Sequence, residues 1–116
     1  MTTPDPDKLT GAYHTAANGH LSYEIYRATP DFLLYAAEIL RDHFGFSEAT
    51  KPIIGLDQII SECTKEEVTL MLGWDIWSGF YILADSDAGD EWVKTIGKFF
   101  DSTIQQPEFA PYIHRW

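Results

Sequence analysis

The fold is read from Val68-Thr69-Leu70-Met71-Leu72-Gly73-Trp74-Asp75-Ile76-Trp77-Ser78-Gly79-Phe80-Tyr81-Ile82-Leu83-Ala84. Val68, Leu70, Leu72 and Trp74 occupy alternate positions, with Thr69, Met71 and Gly73 between them, which is the period of a strand with one face in a core. Asp75-Ile76-Trp77-Ser78 interrupts that run, and apolar residues resume from Gly79 to Ala84, so the stretch reads as a hairpin. A further β-rich segment lies upstream, before a turn around Thr64-Lys65-Glu66. Three antiparallel strands follow, near residues 56–63, 67–74 and 79–84.

On the N-terminal side, Thr29 is placed to cap a helix, Pro30 suits its first position and Asp31 suits the positive end of its dipole. Phe32, Ala36, Ile39, Leu40 and His43 recur at helical spacing until Gly45 offers a left-handed cap. Leu21, Tyr23 and Ile25 alternate with polar residues and predict a first strand before that helix. On the C-terminal side, Ser86 or Asp87 caps a second helix whose stripe is Ala88, Trp92, Ile96, Phe100 and Ile104, limited by Pro107. The order strand-helix-strand-strand-strand-helix predicts an α+β domain: a four-stranded, largely antiparallel sheet with both helices on one face and the other face partly wet. Residues 1–19, broken by Pro4, Pro6 and Gly11, read as a flexible arm, and residues 20–106 as the domain. Residues 107–116 read as an apolar tail, in which Phe109, Tyr112, Ile113 and Trp116 dock on the body or on another copy.

The chain has 116 residues, 18 of them Asp or Glu against 8 Lys or Arg, for a formal charge of −10. Such a surface repels phosphate backbones, which argues against nucleic-acid binding. No apolar run reaches the roughly 20 residues that span a bilayer, and the first residues lack a basic, apolar export signal, so a soluble cytoplasmic protein without membrane contact is expected. Cys63 is the single cysteine, which excludes an intramolecular disulfide and a multi-cysteine zinc site. His14, His20, His43 and His114 are scattered without metal-ligand spacing, and no phosphate-cradling glycine loop or nucleophile elbow occurs. No cofactor and no metal are expected, and the reading leans away from an enzyme.

Asp85-Ser86-Asp87, after the apolar run Phe80-Tyr81-Ile82-Leu83-Ala84, is the one local pattern with catalytic precedent, since paired carboxylates after a strand can hold a divalent cation. It resembles the acidic signature of haloacid dehalogenase-like phosphatases and the Asp-x-Asp of some nucleotide-sugar transferases. Ala88-Gly89 departs from the phosphatase pattern, where Thr or Val would follow, and helix capping accounts for these acids.

The charge is unevenly placed. Between residues 53 and 92 there are nine acids and one base, a local charge of 1 − 9 = −8. The same segment holds Trp74, Trp77, Phe80, Tyr81 and Trp92. Trp74 continues the inward alternation, whereas Trp77 lies in the hairpin connection. Aromatic anchors ringed by carboxylates suit a protein-binding face directed at a basic partner. The partner-binding residues expected from this map are Asp75, Trp77, Tyr81, Asp85, Asp87 and Asp90, gathered in one patch.

A short, acidic, single-domain α+β chain with an aromatic-rich central hairpin, here residues 70–82, resembles the immunity proteins that bacteria make against their own polymorphic or contact-delivered toxins. The resemblance covers residues 21–104 and implies occlusion of a basic toxin's active site, with carboxylates standing in for substrate phosphates. Two other readings of the residues stay open. One is a small ligand-binding or hydrolytic domain with a carboxylate-lined cleft. The other is a subunit of a homodimer joined through the apolar tail.

Overall fold

The computed structural model describes residues 8–113. Its strands are Thr10–Thr15 (β1), Leu21–Tyr26 (β2), Ile53–Ile54 (β3), Gln58–Lys65 (β4), Val68–Asp75 (β5) and Gly79–Ala84 (β6). They form one antiparallel sheet in the order β1-β2-β6-β5-β4-β3. Two α-helices, Phe32–Asp42 (α1) and Asp87–Thr103 (α2), and a 3-10 helix, Pro107–Tyr112, complete the architecture. The chain is α+β with an antiparallel sheet, as expected, but the sheet has six strands rather than four, and the helices are three.

Both extra strands have physical reasons. β1, Thr10-Gly11-Ala12-Tyr13-His14-Thr15, has almost no apolar alternation, so its strand character comes from pairing. Every residue is in register with β2, from Thr10 opposite Tyr26 to Thr15 opposite Leu21. The connecting turn is closed by the Ala16 amide donating to the His20 carbonyl at 2.8 Å, with Gly19 at φ 84°. Part of the stretch read as a loose arm is therefore the outer strand of the sheet, while residues 1–7 lie outside the described residues. β3 continues an irregular run beside β4, held by the Ser47 amide to the Thr64 carbonyl at 2.7 Å and the Thr50 amide to the Glu62 carbonyl at 2.8 Å. That run covers the edge of β4, which would otherwise offer unpaired backbone groups.

Both α-helices pack on the same sheet face. The Phe32 ring of α1 lies 5.1 Å from Phe80 of β6 and 5.6 Å from Phe100 of α2. Around these rings Tyr23, Ile25, Leu70, Leu72, Ile82, Val93 and Ile96 are fully or almost fully buried. Trp74 belongs to this side, half-buried, with its indole N–H donating to the Ala28 carbonyl at 2.7 Å. Cys63 is buried there too, and burial pushes its thiol up to about 12.

Helix ends follow the expected chemistry at three of four places. Ser86 accepts from the Gly89 amide at 3.0 Å and opens α2. Gly45, at φ 79°, ends α1, and the Phe46 amide returns to the Leu40 carbonyl at 2.9 Å. Pro107 follows the end of α2. The expectation that fails is the Thr29 cap, because α1 begins at Phe32 and the buried Thr29 hydroxyl has no hydrogen-bond partner among the described residues. The backbone there is instead tied to the tail, with the Thr29 amide donating to the Tyr112 carbonyl at 2.8 Å and Ala28 bridging Ile113. Phe109 and Ile113 are buried and Tyr112 meets Phe32 at 5.5 Å, so the tail up to Ile113 packs on its own chain. His114 and Trp116 lie outside the described residues. Among the described residues no helix is long and apolar enough to cross a membrane.

Gly79 starts β6 at φ 74°, and a Cβ there would stand 2.3 Å from the Ile25 carbonyl oxygen of β2. Neither the backbone conformation nor the neighbouring strand can relax without breaking the β2–β6 pairing. Gly79→Ala should lower stability by about 2 kcal/mol or more, measured by urea unfolding.

Candidate functional site

Antiparallel register assigns each side chain to one face of the sheet. With Tyr23, Leu72 and Ile82 on the helix side, the opposite face carries Ala12 and His14 of β1, Ser22 and Glu24 of β2, and Tyr81 and Leu83 of β6. It continues through Met71, Gly73 and Asp75 of β5 and Ile60 and Glu62 of β4. Neither α-helix covers it. Ile60, Met71, Tyr81 and Leu83 are half-buried by one another, a low apolar surface in the middle of the face.

Tyr81 is central because Gly73, its cross-strand partner, has no side chain. A Cβ at Gly73 would fall 2.1 Å from the Tyr81 ring, which shows that the ring lies down over the glycine. Glu24 is in register with Tyr81 on one side, and Asp75 is two residues beyond Gly73 on the other. The Tyr81 phenol is raised above its ordinary pKa by burial first, then by the charges of Asp75 and Glu24. It is thus a neutral hydroxyl beside two carboxylates. His14 Nε2 approaches Glu24 at 3.5 Å, and the other acid of this face, Glu62, is exposed. No lysine or arginine projects from the paired strand positions of this face.

Asp75 also shapes the end of the sheet. Its Oδ1 accepts from the Trp77 amide at 2.9 Å and the Ser78 amide at 2.6 Å, an Asx turn that reverses the chain between β5 and β6. Held in that turn, the Trp77 side chain is 72% exposed. The β3–β4 turn lies against it, with the Ile76 amide donating to the Asp57 carbonyl at 3.1 Å.

The six residues expected to form one patch divide into two groups. Asp75 and Tyr81 lie on the uncovered face near the start of β6, and Trp77 is exposed in the turn between β5 and β6. Asp85, Asp87 and Asp90 follow the other end of β6, which at the rise of an extended strand puts Asp85 roughly 20 Å from Asp75 and about 13 Å from Tyr81. They share that end with Glu66 and Glu67 of the β4–β5 turn and Glu91 of α2. Lys65 is engaged there, donating to the Phe44 carbonyl at 2.7 Å with its ammonium 4.6 Å from the Trp92 ring centre. Glu24 and Glu62 do not stand out in the sequence, because only strand register pairs Glu24 with Tyr81 and puts Glu62 on the same face, across from Met71.

Asp90 is a structural link. Its Oδ1 accepts from the Leu21 amide at 2.8 Å, and its Oδ2 meets His20 Nδ1 at 3.1 Å, joining the start of β2 to α2. Asn18 braces the same turn through its side-chain amide to the Ala84 carbonyl at 3.0 Å. His20, Asp87 and Asp90 can bring one ligating atom each to within 4.8 Å of the others. Both Asp90 oxygens are already engaged, and the positive end of α2 opposes a cation, so capping and pairing account for this cluster.

A groove of about 480 Å³ lies between α1 and residues 48–52, with Leu33 and Ala37 among its walls and Glu38 and Glu48 among its charged groups. Its buried Ser61 hydroxyl donates to the Thr50 carbonyl at 2.6 Å, and no histidine lines it to activate a nucleophile. Comparison with known families, characterised proteins and solved structures found no match to this chain.

Asp90 is held below the ordinary carboxylate range, chiefly by the Leu21 amide and also by His20. A depressed folded-state pKa contributes stability above the unfolded value, near pH 4, and that stability is lost as pH falls through the lower folded value. Asp90→Asn should therefore be less stable than the parent at pH 6 to 7, and the gap in thermal midpoint should close as pH drops from about 4 towards 2.

Proposed function

We propose that this protein is a non-enzymatic, cytoplasmic protein-binding domain that docks a basic partner on the uncovered face of its sheet. Its biological form is the one suggested by the likeness to immunity proteins: neutralising a toxin by covering an active site built to receive anions. The observation that supports the reading is the composition of that face, where Glu24, Glu62 and Asp75 surround a half-buried surface of Ile60, Met71, Tyr81 and Leu83 without lysine or arginine.

Each group has a part in the docking. The Tyr81 ring, already lying flat over Gly73, supplies area at small entropic cost and offers a hydroxyl at its edge. Glu24, Glu62 and Asp75 form the rim and take Arg or Lys side chains in charge-assisted hydrogen bonds, occupying the places that substrate phosphates take on the partner. Asp85, Asp87 and Asp90, with Glu66, Glu67 and Glu91, act at longer range. Their field and the net charge of −10 raise the encounter rate with a cationic surface. Catalysis is not required of any residue in this scheme.

The test is association kinetics with a basic partner protein isolated by pull-down from native lysate at low salt. Glu24→Lys combined with Glu62→Lys should slow association by about tenfold or more at low salt, with the gap shrinking as salt screens it. Tyr81→Ala should act on dissociation and weaken binding about 30-fold, near 2 kcal/mol. Glu38→Lys, on the helix side, is the control and should change neither step by more than about twofold. Equal rates for all variants would refute the assignment.

A further inference from the structure

We infer that the outer edge of β1 is a separate docking site, which takes an extended segment of another polypeptide, carrying carboxylate side chains, as an additional strand of the sheet. The ladder shows which main-chain groups are on offer. Bonded and unbonded pairs alternate along two antiparallel strands. The Ala16 amide donates to the His20 carbonyl at 2.8 Å, one step beyond the Thr15–Leu21 pair. Thr15–Leu21 is therefore an unbonded pair, His14–Ser22 and Ala12–Glu24 are bonded pairs, and the amides and carbonyls of Gly11, Tyr13 and Thr15 point away from β2. The Leu21 amide agrees, since it turns from β1 to Asp90 Oδ1 at 2.8 Å. No described residue bonds to the outward groups of β1.

Free edges are usually guarded by lysine, proline or a bulge, and β1 pairs in unbroken register with none of these in Thr10–Thr15. At the far edge of the same sheet, by contrast, the run of residues 47–54 shields β4. A groove of about 420 Å³ borders β1 on the helix side, lined by Tyr13, Leu21, Glu91, Lys94, Thr95 and Lys98. The Tyr13 hydroxyl donates to the Lys94 carbonyl at 3.2 Å and ties the edge strand to α2. An added strand turns alternate side chains towards that helix, where its specificity is set. The charged groups lining the groove sum to 2 − 1 = +1, in a chain of −10. Glu91 is already engaged by Lys94 at 3.2 Å, and Lys98 has no ion pair among the described residues, so the groove favours a carboxylate. A second copy fits less well, because a twofold contact through β1 turns the Lys94 and Lys98 flanks of both α2 helices towards each other. The site uses the edge of the sheet, so it does not rest on the function proposed for the uncovered face.

The probes are short blocked peptides in which Thr and Val alternate with Glu, Lys or Gln, titrated into the isotope-labelled full chain and followed by NMR of its backbone amides. In the free protein the Gly11, Tyr13 and Thr15 amides should exchange with solvent about tenfold or more faster than those of Ala12 and His14. The Glu peptide should bind with a Kd of about 1 mM or tighter, about tenfold more tightly than the Lys peptide, and slow exchange at those three amides by about tenfold. Lys94→Glu with Lys98→Glu should reverse the preference between the Glu and Lys peptides. Methylating alternate backbone nitrogens of the peptide should abolish binding for one of the two alternate sets and spare it for the other, as strand addition requires. No binding by any peptide, binding that leaves the three amides unprotected, or a Lys peptide preferred by the parent chain would overturn the inference. So would protection of those amides on concentrating the protein alone, which would assign the edge to a second copy.

Discussion

Two helices of 11 and 17 residues must cover a sheet of six strands, and they do so by packing on one side of it. The contact that holds them there is the meeting of Phe32, Phe80 and Phe100, which ties α1, β6 and α2 at ring separations of 5.1 to 6.4 Å. Full burial of a ring this size contributes about 2 to 3 kcal/mol, and edge-to-face geometry adds to it. The 3-10 helix joins the same cluster through Phe109 and Tyr112. All three helical elements are committed to that side, so the other face is left to satisfy itself. It does so with side chains that lie down on one another, Tyr81 over Gly73 being the clearest case.

The consequence is a molecule with three chemically different surfaces on one sheet. One end is acidic and organised by the N-terminus of α2, where Asp87 and Asp90 complement the helix dipole and Asp90 anchors β2. The other end exposes Leu56, Ile76 and Trp77 in its two turns. Between them lies a face with an apolar middle and carboxylates at its margin. Separation of the acids from the exposed Trp77 gives long-range steering and short-range burial different addresses, so the two can be altered independently.

How far this was legible depends on what each residue does in the fold. The β5–β6 hairpin, the Ser86 cap and the Gly45 terminus follow from alternation and local backbone chemistry, and each stands where the sequence predicts it. β1 does not announce itself, because Gly11, Ala12 and His14 have no strand pattern of their own and become a strand by pairing with β2. Thr29 illustrates the opposite failure, a local capping signal left unused because α1 begins only at Phe32, with Asp31 in the cap position. For the site, Tyr81, Asp75 and Trp77 were recognisable from composition. Asp85, Asp87 and Asp90 are close to them in the chain but removed by the length of a strand in space. Glu24 and Glu62 come from distant segments, and nothing short of the β2–β6–β5–β4 register would have placed them on the face that carries Tyr81.

Whether the sheet face stands open to solvent can be measured without a partner, by methyl relaxation of the protein with a neutral, soluble gadolinium chelate. The account predicts strong enhancement for the Met71, Leu83 and Ile60 methyls and protection for those of Leu72, Ile82 and Ile96. Equal protection of both sets in the monomeric protein would mean that this face is covered, and would contradict its role as the docking surface.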